Sequence, residues 1–198
     1  MYNTTKRIFD FFASLCVLLL LSPVFLVIAI WIALDSKGGV FYQQVRIGKN
    51  RKEFGLYKFR SMATGSDKSG QITIGNDSRI TKVGHFIRKY KIDELPQLIN
   101  ILKGEMSVIG PRPEVKKYVD LYTEEQLTVL SVLPGLSDYA SIEYFDEQTV
   151  LGKAEDPNKE YIDVVMPAKL ALNLKYIAEK SLTTDLKIIL KTLGKILN

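Results

Sequence analysis

Residues 11–34 carry no charged side chain, and only Ser14, Ser22 and Pro23 interrupt their apolar character. The stretch exceeds the ~20 residues a helix needs to cross a bilayer. It is too long for the apolar part of a signal peptide, and no small-x-small cleavage pattern follows it, so it is expected to be retained. Pro23 stands near its centre. A proline inside a helix removes one hydrogen bond and crowds the carbonyl four residues back, here Leu19, costing roughly 3 kcal/mol. Ser22 offers a hydroxyl to a freed carbonyl, and the pair favours a kink. Divided there, each arm holds about 12 residues and is ~18 Å long, against a hydrocarbon core ~30 Å thick.

The flanking charges bear on topology. Lys6 and Arg7 precede the run, and Lys37, Arg46, Lys49, Arg51 and Lys52 follow it. Positive residues normally stay cytoplasmic. A helix that bends at Ser22-Pro23 and returns keeps both clusters inside, whereas a straight signal-anchor span with a tolerated proline exports one of them. A buried helix of a soluble protein is the third reading.

The rest of the chain sets other limits. With 198 residues there is room for one domain and a short appendage. Hydrophobic residues at 46% and charged residues at 25% exclude a disordered or collagen-like chain. The single cysteine, Cys16, excludes a disulfide framework, and the single histidine, His85, excludes a two- or three-histidine metal centre in one chain. A net charge of +5 suits anionic partners such as nucleic acid, anionic lipid or phosphorylated small molecules.

Residues 40–47 and 54–59 are rich in β-branched and aromatic side chains around a 48–51 turn, which predicts a hairpin. Residues 63–77 read as a polar loop. Ile80, Val83, Phe86 and Ile87 recur at helical spacing over 79–90. A second helix follows Asp93, its expected N-cap, with Pro96 in the first turn and Gly104 at the end. Residues 110–113 are stiff, 114–131 read as helical, and Pro134-Gly135 breaks them. Two further helices are expected over about 167–180 and 184–197, the last with a Lys187, Lys191, Lys195 stripe suited to an anionic membrane surface or to plain solvation. The class is α+β: mostly helical, with a small β-hairpin or sheet, behind an N-terminal membrane helix.

Asp93-Glu94 is the pair best placed for chemistry. Neighbours on a helix point about 100° apart, so the two carboxylates cannot share one proton but can do different jobs. One could attack or hold a metal while the other orients it. Arg79, Arg88 and Arg112 lie around this point in the sequence. Their forked donors match phosphate oxygens, which suggests phosphoryl chemistry assisted by a divalent cation. Taken bare, acidic residues in a first turn are more often simple capping.

Residues 57–62 (YKFRSM), 77–84 (DSRITKVG), 92–100 (IDELPQLIN) and 106–114 (MSVIGPRPE) resemble, in order and spacing, the bacterial sugar transferases, the monotopic phosphoglycosyl transferases. The apolar run with its Ser-Pro break matches too, so the likeness covers nearly the whole chain, and its length resembles the minimal form of that family. The resemblance implies transfer of a phospho-sugar from a UDP-sugar to polyprenol (undecaprenyl) phosphate, releasing UMP and starting glycoconjugate synthesis. Asp93 falls on the nucleophile, which would form a covalent phospho-sugar ester and hold Mg²⁺; Glu94 falls on its partner. Lys58, Arg88 and Arg112 fall on phosphate or head-group positions, and Arg60 and Arg79 complete the expected substrate-binding set. Ser22 and Pro23 fall on the break that makes residues 1–36 a re-entrant membrane helix. Residues 37–198 would then be a catalytic domain with C-terminal amphipathic helices on the cytoplasmic face of the bacterial inner membrane. Membrane lipid is an expected partner, nucleic acid is not, and a homo-oligomer stays open. The chain departs from the family pattern after Pro134-Gly135: Phe145 stands where an arginine is common, and no arginine follows Arg112. Lys153 is one candidate for the missing contact. Asp138 and Tyr139 are expected either in the sugar or uridine pocket or in loop packing. A different class of reading remains: a non-enzymatic, signal-anchored basic binding protein.

Overall fold

The computed structural model describes residues 2–66 and 77–197, so most of the expected 63–77 loop lies outside the described residues. Helix α1 spans Tyr2–Asp35 and includes Pro23. The helix is continuous across Ser22-Pro23, so the expected break does not divide the element in two. Its local signature is a hydrogen bond: the Ser22 hydroxyl donates to the Leu19 carbonyl at 2.8 Å, replacing the amide that proline lacks.

Strands β1 (Phe41–Ile47) and β2 (Glu53–Phe59) form the expected antiparallel hairpin, in register from Phe41 opposite Phe59 to Ile47 opposite Glu53. Helix α2 (Lys82–Lys89) starts later than the periodicity suggests, because the Thr81 hydroxyl caps it by accepting from the Gly84 amide. Helix α3 (Gln97–Lys103) ends, as expected, at Gly104, whose φ of 84° is the left-handed geometry glycine adopts without strain.

Strand β3 (Ser107–Ile109) runs parallel to β4 (Gly135–Ser137), a second sheet the sequence did not announce. Pro134-Gly135 therefore opens a strand. Gly110 and Gly135 touch backbone to backbone, and a Cβ on Gly135 would come within 2.1 Å of the Gly110 nitrogen. The expected 114–131 helix is instead α4 (Lys116–Val119), α5 (Glu124–Leu127) and a 3₁₀ turn (Thr128–Ser131). Thr123 interrupts it with a capping box closed by Gln126. Short helices α6 (Tyr139–Glu143), α7 (Glu147–Leu151) and α8 (Pro157–Glu160) lead to α9 (Met166–Glu179) and α10 (Leu182–Leu197), close to the two expected C-terminal helices.

Helix α1 lies along the rest of the protein. Near its start the Arg7 guanidinium donates to the carbonyls of Ile101 and Leu102 at the end of α3. Leu18 packs on the Leu56–Leu98–Met106 cluster, and Phe25 meets the Phe59 ring edge-on at 5.1 Å. Near its end Ile28 and Ile32 pack with Val83 and Ile87, and the Asp35 carboxylate accepts from the Val83 amide. Its other face is left open and greasy: Leu20 is 77% exposed and Leu34 82%.

A buried polar cluster fastens α1 to α10. The Asp185 carboxylate accepts from Lys6 Nζ (2.8 Å), the Tyr2 hydroxyl (3.0 Å) and the Tyr176 hydroxyl (2.8 Å). Removing that carboxylate strands three donors. Asp185→Ala is expected to cost about 3 kcal/mol, lowering the melting temperature by about 6–12 °C for a chain of this size. A melting curve in detergent measures it, and a shift under 2 °C would mean the cluster contributes little.

Candidate active site

Four backbone segments converge on one cavity of about 1420 Å³. Strand β2 brings Lys58 and α2 brings Arg88. After α2, Lys91 adopts a left-handed conformation (φ 55°) that turns the chain into a 3₁₀ turn, Ile92–Glu94, carrying Asp93 and Glu94. This corrects the expectation that Asp93 caps the next helix: it sits within its own short turn, ahead of α3. The 110–113 loop brings Arg112, whose amide donates to Asp138 Oδ2 at 3.2 Å.

Asn100 sets the distance between these segments. It is completely buried; its Oδ1 accepts from the Tyr57 amide, and its Nδ2 donates to the Gly55 carbonyl and to Glu105. The residue next to Lys58 is thus pinned to the helix that follows Asp93-Glu94.

The two carboxylates have opposite surroundings. Glu94 Oε1 accepts from Lys58 Nζ at 3.2 Å and, more closely, from Arg112 Nη2. Burial raises its pKa, but Arg112 and Lys58 outweigh burial and hold Glu94 well below the ordinary carboxylate range. Asp93 is only 5% exposed and accepts no hydrogen bond among the described residues, although it lines the cavity. Burial pushes its carboxyl above the ordinary value; the attraction of Lys58, Arg88 and Lys91 falls short of cancelling it, and Glu94 adds to the rise. Burial likewise lowers the Lys58 ammonium despite the pull of Glu94 and Asp93, while Glu94 raises the Arg112 guanidinium further. One carboxylate is thus locked in a salt bridge, and its neighbour is desolvated and without a hydrogen bond among the described residues.

The other expected residues divide. Arg88 lines the cavity. Arg79 lines it too, with its guanidinium forked onto Asp77 (2.6–3.0 Å). Arg60 lines it as well but is buried, and its Nη1 and Nη2 donate to Lys37 and Ser36, just past the end of α1, so it fixes the hairpin to that helix, while its Nε has no partner among the described residues. Asp138 caps α6 by accepting from the Ser141 amide, and the Tyr139 hydroxyl donates to Glu179; both serve packing. Ser22 and Pro23 lie outside the residues lining the cavity.

Sequence reasoning missed Lys91, whose ammonium lies 5.1 Å from the Phe145 ring centroid. The resemblance noted above implies an arginine at Phe145, and here a cation stands over that position from another segment. It also missed Lys169 and Asn173 on α9, which line the far wall. No motif marks them, and only the packing of α9 against α6 brings them there. A metal could be held by Asp93. Among the described residues no group of three or more His, Cys, Asp or Glu forms a dedicated metal cage.

A family model described as bacterial sugar transferase matches residues 1–198. Over 200 residues the chain is 40% identical to the UDP-N-acetylgalactosamine-undecaprenyl-phosphate N-acetylgalactosaminephosphotransferase of Aeromonas hydrophila, covering 99% of this chain and 44% of that protein. It is 37% identical over 192 residues to the uncharacterized sugar transferase EpsL of Bacillus subtilis, covering 97% of this chain and 87% of that protein. To the UDP-glucose:undecaprenyl-phosphate glucose-1-phosphate transferase of Klebsiella pneumoniae it is 38% identical over 195 residues, covering 96% of this chain and 39% of that protein. The chain thus spans less than half the length of the first and third of these relatives.

Proposed function

The chain belongs to the bacterial sugar transferase family, and we propose that it moves a phospho-sugar from a UDP-sugar to undecaprenyl phosphate, or a similar polyprenol phosphate, at a membrane surface. The observation that carries this reading is Asp93: a buried carboxylate without a hydrogen bond, facing a cavity beside cations ordered by Glu94.

The chemistry follows from that arrangement. Desolvation makes the Asp93 carboxylate more basic and more nucleophilic. One of its oxygens attacks the sugar-bearing phosphorus of the donor diphosphate. The bond from that phosphorus to the bridging oxygen breaks, and UMP leaves with the electron pair. A phosphate oxygen of the polyprenol phosphate then attacks the same phosphorus and releases Asp93. Arg112, Lys58 and Arg88 stabilise the negative charge that builds on the phosphoryl oxygens. Glu94 is a positioning residue: it holds Arg112 and Lys58 in place and stays ionised. Mg²⁺ suits the donor set, because it is commonly bound by one or two carboxylates together with substrate phosphates. When bound by Asp93 it would offset repulsion between the carboxylate and the diphosphate.

The membrane placement rests on α1. The residues near its start and near its end both pack on the same body, which supports both ends lying on one side of a bilayer. Its open apolar face would enter the lipid from one side, with the basic flanks kept at the cytoplasmic surface.

In detergent or nanodiscs, the full chain with Mg²⁺, undecaprenyl phosphate and a panel of UDP-sugars is expected to release UMP with at least one donor, and EDTA is expected to stop the release. Silence across the panel would reject the proposal. With Cys16 replaced by serine, single cysteines at Asn3 and Val150 are expected to react with a membrane-impermeant reagent from the same side. Labelling from opposite sides would contradict a placement of both ends on one side of the membrane.

A further inference from the structure

Beyond Arg112 the cavity wall is built from α6 and α9. Two polar groups there lack partners. Asn173, on α9, is only 4% exposed, and its side-chain amide makes no hydrogen bond among the described residues; its Oδ1 is cut off from solvent. The Ser141 hydroxyl, on α6, is equally enclosed and unpaired, although the Ser141 amide is used by Asp138. Buried polar groups are nearly always hydrogen-bonded, and an exception calls for an explanation. Both residues line the cavity, which offers one: turned into it, each group meets its partner on a ligand.

The wall is electrostatically continuous with the phosphate-binding end. The Glu147 charge acts on Arg112. Glu147 pairs with Lys169 Nζ at 2.6 Å, and Lys169 lies one turn before Asn173 on the same face of α9. A ligand whose phosphates rest on Arg112 would extend its other end toward this wall.

An asparagine amide presents a carbonyl and an NH₂ side by side. It pairs with both atoms of a partner that sets a donor beside an acceptor on one edge, and it fits best where the two are held rigid and coplanar, as an N–H next to a C=O is. Uracil has that edge, at N3–H and O4. The acetamido group of an amino sugar does not, because its N–H and C=O point in opposite directions. We propose that the Asn173 amide, assisted by the Ser141 hydroxyl, reads the uracil ring of the nucleotide donor. This deepens the donor reading given above and rests on it.

Binding of UMP to the full chain by calorimetry tests it, with ribose 5-phosphate and N3-methyl-UMP as comparison ligands. Asn173→Ala is expected to weaken UMP about tenfold to a hundredfold, the loss of two hydrogen bonds. Affinity for ribose 5-phosphate, which has no base, should stay within about twofold on the same reasoning. N3-methylation should weaken binding to the unaltered protein and make no difference to the variant. If Asn173→Ala does not fold, Ser141→Ala replaces it, with a loss of about threefold to tenfold in UMP affinity. Unchanged UMP affinity in the folded variant overturns the proposal. So does a variant that binds UMP normally but loses its preference between UDP-N-acetylglucosamine and UDP-glucose, since the amide would then be reading the sugar. An unaltered chain that binds UMP through Asn173 yet turns over no UDP-sugar rejects the transferase reading and leaves base recognition standing.

Discussion

Asp93→Asn is expected to reduce UMP release by at least about 10³-fold, because it removes the nucleophile and leaves only binding and charge stabilisation. The fold should survive the change and gain from it. The Asp93 carboxyl is raised above its unfolded value by burial, so ionising it disfavours the folded state. The sign is that of a raised carboxyl: its contribution to stability is fully present below the unfolded pKa and is lost as pH rises through the folded one. In EDTA, the melting temperature of Asp93→Asn should therefore exceed that of the unaltered chain near neutral pH, and the two should converge in acid. Mass spectrometry completes the case. Protein quenched after exposure to the active donor, without acceptor, should carry a phospho-sugar on the peptide containing Asp93 and none in the asparagine variant. An adduct on another residue, or normal turnover by Asp93→Asn, would displace Asp93 from the mechanism.

Glu94→Gln should damage both stability and rate, for a different reason. Glu94 is the shared acceptor of Arg112 and Lys58. Without its charge two cations are left facing each other in a poorly solvated site, at a cost of about 3 kcal/mol. The same loss lets Arg112 and Lys58 drift from the phosphoryl oxygens, and kcat/KM for UMP release should fall about 10²- to 10³-fold. Because the Glu94 pKa is depressed, its contribution to stability is present above the unfolded value and is lost only as pH falls through the depressed folded one. Acid limbs of activity at milder pH therefore belong to other groups. A double-mutant cycle of Glu94→Gln with Arg112→Met should report a coupling of at least about 1.5 kcal/mol. Additive effects would mean the salt bridge does not organise the site.

The hairpin, α2, α3 and the two C-terminal helices were legible because their signals are local: β-branched runs around a turn, apolar spacing of three and four, a glycine just past a helix. The failures share a cause. Pro134-Gly135 reads locally as a breaker, but its glycine is needed because Gly110, distant in sequence, approaches its backbone. Thr123 interrupts the 114–131 periodicity through a capping box that outweighs a favourable apolar pattern. At the site, Asp93, Glu94, Lys58, Arg88 and Arg112 were found through motifs and do converge. Arg60 belongs to the same motifs and lines the cavity, yet its Nη donors go to the residues just past α1, partners set by tertiary packing. Asn173 had no local signal, since a lone asparagine on an apolar helix face becomes informative only when its missing partners can be seen.

The Tyr2–Lys6–Asp185 cluster bears on how the molecule is made. Tyr2 and Asp185 are separated by 183 positions. At ~5–20 residues per second of synthesis, the acceptor follows its donor by on the order of 10–40 s. Throughout that interval the N-terminal helix has emerged without the carboxylate that ties its first turns to α10. A nascent chain therefore has time to pack α1 on α2 and α3 before the latch closes, and a product truncated ahead of Asp185 would keep those contacts but leave Tyr2 and Lys6 without their shared acceptor.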